Sequence, residues 1–156
     1  CIRDRLGASQ IWAFPADWSV AKWDGKKLGK KVEKLEKIAL GAAEQSKRNL
    51  VPSITLFEKK ADFLAQLEQF DRIVVAYEES AKEGEAAALL QSLTGLEAGS
   101  KLLFIFGPEG GLSPAEIESF TAKGAVLAGL GPRILRAETA PLYALSAVSV
   151  VTELIN

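Results

Sequence analysis

The chain has 156 residues, 48% hydrophobic and 25% charged, with a net charge of −1, the composition of one soluble globular domain with room for a sizeable core. It holds one cysteine and no histidine, so no disulfide framework within the chain, no zinc or other metal site, and no Ser-His-Asp or Cys-His catalysis is expected. Any chemistry falls to Arg, Lys, Asp, Glu, Ser, Thr, Tyr or the backbone.

In chain order, Gln10 to Phe14 reads as a short apolar strand closed by Pro15. A long helix is expected from Lys27 to Lys47, with an inward stripe at Leu28, Val32, Leu35, Ala39 and Ala42 stepping four, three, four, three. Pro52 ends that region, and Ile54 to Phe57 is a second strand. Ala61 to Phe70 is a helix with Phe63, Leu64 and Leu67 inward. Arg72 to Tyr77 is a β-branched strand. A helix over Glu85 to Leu93, a strand over Leu102 to Phe106, a helix over Ser113 to Lys123 and a strand over Ala125 to Leu130 follow. The last helix spans Ala140 to Leu154. Alternating strands and helices predict a single α/β domain: a mostly parallel sheet with helices on both faces. Ligands of such folds sit beyond the carboxyl ends of the strands, which directs attention to the loops after Phe106 and Leu130.

Charge is unevenly spread. Lys22 to Arg48 holds nine Lys or Arg against four Asp or Glu, which leaves the rest of the chain acidic. That segment is either a solvated helix face or a surface for an anionic partner. No apolar run reaches membrane-spanning length and no signal peptide opens the chain, so a cytoplasmic protein without a membrane partner is expected. A chain that starts at Cys1 and contains no methionine is expected to lack residues upstream.

The loop after Phe106 reads Gly107-Pro-Glu-Gly-Gly-Leu-Ser113. Ser113 suits a helix cap, Pro114 the first helical position, and Glu116 the far side of a capping box. Glycines here permit positive φ and a close approach of a ligand to the backbone. Phosphate is a poor candidate. The Lys-Ser/Thr pair of a nucleotide-binding loop is absent, as is the dinucleotide glycine spacing, and Glu109 would repel a phosphate. The loop after Leu130 runs Gly131-Pro-Arg-Ile-Leu-Arg-Ala-Glu-Thr139. It sets Arg136 and Glu138 beside an apolar pair, Ile134 and Leu135. Thr139 with Pro141 suits the start of the last helix. That helix is apolar nearly all round, and burial of its free side against a second subunit is expected.

These two loops, Phe-Gly-Pro-Glu-Gly-Gly-Leu-Ser and Leu-Gly-Pro-Arg-Ile-Leu-Arg-Ala-Glu-Thr-Ala, resemble the RsmE family of bacterial 16S ribosomal RNA methyltransferases. Ala42-Ala-Glu-Gln-Ser-Lys-Arg48 with Pro52 resembles a third family motif, and Leu6-Gly7 with Ile11 and Phe14 a fourth. The resemblance spans essentially the whole chain. It implies a SPOUT-type α/β fold whose carboxyl-terminal segment threads a trefoil knot, S-adenosyl-L-methionine as methyl donor, and a homodimer formed through the last helix. It implies that residues 1–156 form the methyltransferase domain, truncated at its start, without the family's amino-terminal RNA-binding barrel. Asp4-Arg5 stands where the family has Thr-Glu.

On this reading the donor is held by Phe106, Gly107, Gly111, Leu130, Gly131, Ile134, Leu135, Arg136 and Ala140, with adenine in an apolar slot near Phe106, Leu130, Ile134 and Leu135. The reaction is methylation of uridine N3 in 16S rRNA of the small ribosomal subunit. Arg136 is the candidate for stabilising or positioning the uracil or its phosphate, and Glu138 and Glu109 are candidate bases. Gln45 and Arg48 are candidates for RNA contact across the dimer, and Lys30, Lys34 and Lys37 for phosphate contact. The alternative is a non-catalytic RNA-binding or ribosome-assembly module that has kept the fold.

Overall fold

A computed structural model of the chain describes residues 6–20, 24–77 and 86–155. Its elements are β1 (Gln10–Ala13), α1 (Gly25–Gln45), β2 (Ser53–Leu56), α2 (Lys60–Ala65), a 3-10 turn (Leu67–Gln69), β3 (Arg72–Ala76), α3 (Ala86–Leu93), β4 (Leu102–Phe106), α4 (Pro114–Ala122), β5 (Val126–Ala128) and α5 (Ala140–Ser149), which widens into a π-helical turn (Val150–Leu154). The fold class is the expected one, and every strand pairing described is parallel.

The strands do not form one hydrogen-bonded sheet. β1 pairs with β2, and β4-β3-β5 form a second sheet. Between β1 and β4 lies a cavity of about 730 Å³, walled by Ile11, Trp12, Leu103 and Ile105 and closed on the α5 side by Leu145 and Val148.

Strand β3 explains the layering of the larger sheet. Ile73, Val74 and Val75 are all buried, and side chains alternate across a strand. Ile73 and Val75 enter one core with Phe63, Leu67, Ile105 and Phe120, so α2 and α4 cover that face. Val74 enters the other with Leu89, Leu93 and Ala128, against which Ala147, Val148 and Val151 pack, so α3 and α5 cover the opposite face. The first core is aromatic. Phe14 stacks on Phe63 with ring centroids 4.2 Å apart, and Phe120 meets Phe63 edge-on at 6.0 Å. Such pairs each add about 0.5–1.5 kcal/mol beyond the area they bury.

Helix α1 starts earlier than its apolar stripe indicates because Asp24 caps it, accepting the Lys26 N–H at 3.1 Å. It buries Ala39, Ala42 and Ala43. It ends on a left-handed Lys47 (φ 56°), with the Arg48 N–H returning to Ala43 O and the Lys47 N–H to Glu44 O, the double hydrogen bond of a Schellman ending. The helix expected over 61–70 breaks after Ala65 into the 3-10 turn, which still carries Leu67 into the core. β5 is shorter than expected, because only Val126 to Ala128 pair with β3. Glu85, the expected first residue of α3, lies outside the described residues, as do Asp4 and Arg5.

Candidate active site

In the larger sheet the parallel register sets Phe106, Ala76 and Ala128 side by side. The loops that follow Phe106 and Ala128 therefore leave the same edge, on either side of β3. The two motif loops, separate in sequence, thus start at the same, carboxyl end of this sheet.

The first loop is tightly folded. The Gly111 N–H donates to Pro108 O at 2.8 Å, and Gly111 sits at φ +82°, a conformation that favours glycine. A Cβ on Gly107 would lie 3.0 Å from Leu112 Cγ and 3.1 Å from the Gly111 carbonyl carbon. The capping box expected from Ser113 and Glu116 is complete: Ser113 Oγ accepts the Glu116 N–H at 3.2 Å, and Glu116 Oε2 accepts the Ser113 N–H at 2.9 Å.

Glu116 does more than cap. Its side chain is about 1% exposed, and its Oε1 accepts the Asp17 N–H at 2.9 Å and lies 2.7 Å from Lys60 Nζ. Lys60 also donates to the Asp17 carboxylate, and Ser113 Oγ donates to the other Asp17 oxygen at 2.5 Å. The hydrogen bonds from Lys60 and then from Ser113 hold the Asp17 carboxyl below its ordinary value. Burial disfavours the Lys60 ammonium, but its bonds to Asp17 and Glu116 outweigh that and raise its pKa. Trp18, 51% exposed, sits against the glycines: a Cβ on Gly110 would come within 3.4 Å of Trp18 Cβ. The sequence reading missed Asp17, Trp18 and Lys60 altogether.

The second loop is open. Gly131 has φ +87°, and a Cβ there would lie 3.4 Å from the Tyr143 hydroxyl, a further residue the sequence did not single out. Arg136 O accepts the N–H groups of Thr139 and Ala140, both at 2.9 Å. It starts α5 in place of the expected Thr139 side chain, which makes no cap bond. Ala140 is buried and Leu135 half-buried, while Ile134 is 78% exposed. The side chains of Arg136 and Glu138 are 87% and 67% exposed and 4.0 Å apart, a separation and exposure that contribute little to stability. Glu109 is exposed on the first loop.

The basic helix lies differently from the motif loops. Lys30, Lys34 and Lys37 are exposed on one side of α1. Because α1 runs from the carboxyl end of β1 back to the start of β2, Gln45 and Arg48 stand at the opposite end of the strands from Gly107 and Arg136. The Arg48 guanidinium donates to Ala8 O at 3.1 Å, tying the end of α1 to the segment before β1.

On these two loops Glu109, Arg133, Ile134, Arg136 and Glu138 are all exposed, so neither sign of charge dominates. Among the described residues no group of three His, Cys, Asp or Glu is placed to hold a metal ion, and no helix is long and apolar enough to cross a membrane.

This fold, with two such loops at one strand edge, is that of an RNA methyltransferase, and the chain belongs to the RNA methyltransferase domain family, whose model matches residues 4–149. Within that family it is similar to ribosomal RNA small subunit methyltransferase E of Bacillus subtilis (strain 168), at 53% identity over 151 residues, 97% of this chain and 59% of the relative. A crystal structure of a protein described only as hypothetical superposes with a TM-score of 0.88 at 48% identity, covering 98% of this chain and 59% of that one. A ribosomal RNA small subunit methyltransferase E from Neisseria gonorrhoeae, solved bound to S-adenosyl methionine, superposes with a TM-score of 0.73 at 25% identity, covering 96% and 58%. The resemblance read from the loop motifs is thereby shown, as is the SPOUT-type α/β class. The chain spans about three-fifths of the length of the first of these relatives.

Proposed function

We propose that this chain is the catalytic domain of an S-adenosyl-L-methionine-dependent methyltransferase that modifies N3 of a uridine in 16S rRNA of the small ribosomal subunit. The observation that carries the reading is the convergence of the 107–113 and 129–136 loops on one strand edge, with an exposed arginine and an exposed apolar side chain at its mouth. The relatives' names point the same way.

The donor supplies a methyl group on a sulfonium. Phe106, Gly107 and Gly111 on one side, and Leu130, Gly131, Ile134, Leu135, Arg136 and Ala140 on the other, would hold it. In the transfer a bond forms from uridine N3 to the methyl carbon as the sulfur–methyl bond breaks, and the N3 proton leaves to a base. Arg136 stabilises the charge that develops on the uracil, and Glu138 or Glu109 accepts the proton. Holding base and donor in line supplies much of the rate. The target base must be unstacked to reach this edge.

We further propose a homodimer through α5. Tyr143, Val150, Leu154 and Ile155 are 39%, 44%, 75% and 71% exposed, an apolar strip that a second copy would cover. In that dimer Gln45 and Arg48 of one copy face the donor edge of the other. The carboxyl-terminal knot of the SPOUT class and a cytoplasmic location belong to the same proposal.

Calorimetric titration with S-adenosylhomocysteine, the product of the donor, tests it. Saturable binding at one per subunit is expected. A folded protein that shows no heat of binding would instead favour the non-catalytic RNA-binding module.

A further inference from the structure

The two sheets share no strand pairing among the described residues, and a cavity separates β1 from β4. The glycine loop nevertheless follows directly from β4 and is gripped from the other sheet's side. Asp17 lies in the loop after β1, and Lys60 opens α2 just after β2. Asp17 reaches Ser113 and Glu116 at the end of the glycine loop, and Lys60 reaches Glu116.

The grip is built, not incidental. Glu116 is almost fully buried, and its two oxygens serve three donors: the Asp17 N–H, the Ser113 N–H and Lys60. A buried carboxylate is tolerated only when paired and hydrogen-bonded in this way. The Lys60 side chain is 24% exposed, enclosed enough to hold one geometry. Fixing Asp17 also fixes its neighbour Trp18, whose side chain lies along Gly110 and Gly111. Capping α4 would need only Ser113 and Glu116. The contacts from Asp17 and Lys60 are surplus to that task, and they reach a loop whose shape depends on backbone turns.

We propose that Lys60, Asp17 and Glu116 form a clamp that sets the shape of the 107–113 loop from the neighbouring sheet, making Lys60 a positioning residue for the methyl donor. The inference rests on the donor-site reading above. Lys60 does not touch the donor. It acts through Glu116 on the backbone that does, and it holds Trp18 as one wall of the loop.

The test combines calorimetric titration with S-adenosylhomocysteine and amide exchange at Gly111 and Ser113, on the parent chain and on Lys60→Met. The expected result is binding weakened on the order of tenfold, the scale of one lost hydrogen bond to a charged group, with faster exchange at Ser113. Lys60→Arg restores most of both. Lys123→Met removes the exposed pair with Glu68 and moves neither. A Lys60→Met protein that binds as the parent does, with parental protection at Ser113, overturns the clamp. If the parent itself does not bind S-adenosylhomocysteine, the donor-site reading fails, and the clamp is then decided by exchange alone: unchanged protection in Lys60→Met rejects it. Should Lys60→Met not fold, Asp17→Asn carries the same two measurements, since it alters a carboxylate that is 44% exposed.

Discussion

Lys60 Nζ stands 2.7 Å from the buried Glu116 carboxylate and joins the start of α2 to the first turn of α4. Through this contact a residue following β2 acts on a loop following β4, although the two strands belong to different sheets. The end of the 107–113 loop is thus held from both sheets. Four experiments follow from that arrangement and from the open loop opposite it.

The clamp carries a pH signature. Asp17 is held below its ordinary value of 3.8, so its contribution is present above that value and is lost as pH falls through the lower, folded-state pKa. Lys60 is raised above 10.5, so its contribution is complete below 10.5 and is lost as pH rises through the higher folded value. Protection of the Ser113 amide is expected to be flat between these limits and to fall in acid below 3.8. In Lys60→Met the acid limb weakens, because the largest cause of the Asp17 shift is gone. Amide exchange measured from pH 6 down to 3 checks this, and an identical acid limb in the variant refutes it.

Two glycines should respond to alanine with opposite signs. At Gly107 the new Cβ meets the Gly111 carbonyl carbon at 3.1 Å and the Leu112 nitrogen at 3.2 Å, backbone atoms that cannot swing aside. A loss of about 1–3 kcal/mol is expected, with S-adenosylhomocysteine binding impaired. Gly41 lies on the exposed side of α1 with nothing within 4 Å of its Cβ position. Alanine there should stabilise by about 0.5–1 kcal/mol. Denaturant midpoints of the two variants decide both.

Arg136→Ala separates chemistry from folding. The side chain is 87% exposed and its ion pair is at the distance limit, so stability should move by no more than about 0.5 kcal/mol. Turnover on the rRNA substrate should fall on the order of 10²-fold, the cost of losing one stabilising donor. Parental turnover in the variant would remove Arg136 from the mechanism.

The exposed lysines of α1 test the RNA surface. Replacing Lys30, Lys34 and Lys37 by Gln should weaken RNA binding and make its salt dependence shallower by about two units of slope for single-stranded contacts. Thermal stability should stay near the parent's, since all three are exposed. A parental slope would place the RNA elsewhere.

Much of this molecule follows from short-range rules that a chain carries on its face. The buried, β-branched run at Ile73 to Val75, the Ser113–Glu116 capping box and the glycine turn at 107–111 were all legible, because each depends on neighbours within a few residues. Local patterning could not show that α2 breaks at Ala65, since Phe63 and Leu67, four residues apart, would share one face of an unbroken helix as well. Nor could it show that Arg136 O, rather than Thr139, starts α5. The division into two sheets, and the direction of α1 that carries Gln45 and Arg48 away from the 107–113 loop, are properties of strand pairing alone. Asp17 and Lys60 left no trace in the sequence because their partners lie far along the chain, 96 residues from Asp17 to Ser113 and 43 from Asp17 to Lys60. An ordinary Asp and an ordinary Lys gain a role only when packing brings a buried carboxylate between them. Sequence determined which segments become strands, helices and turns. Tertiary structure alone decided which distant charges meet, because that depends on how the layers pack and not on any residue's local preference.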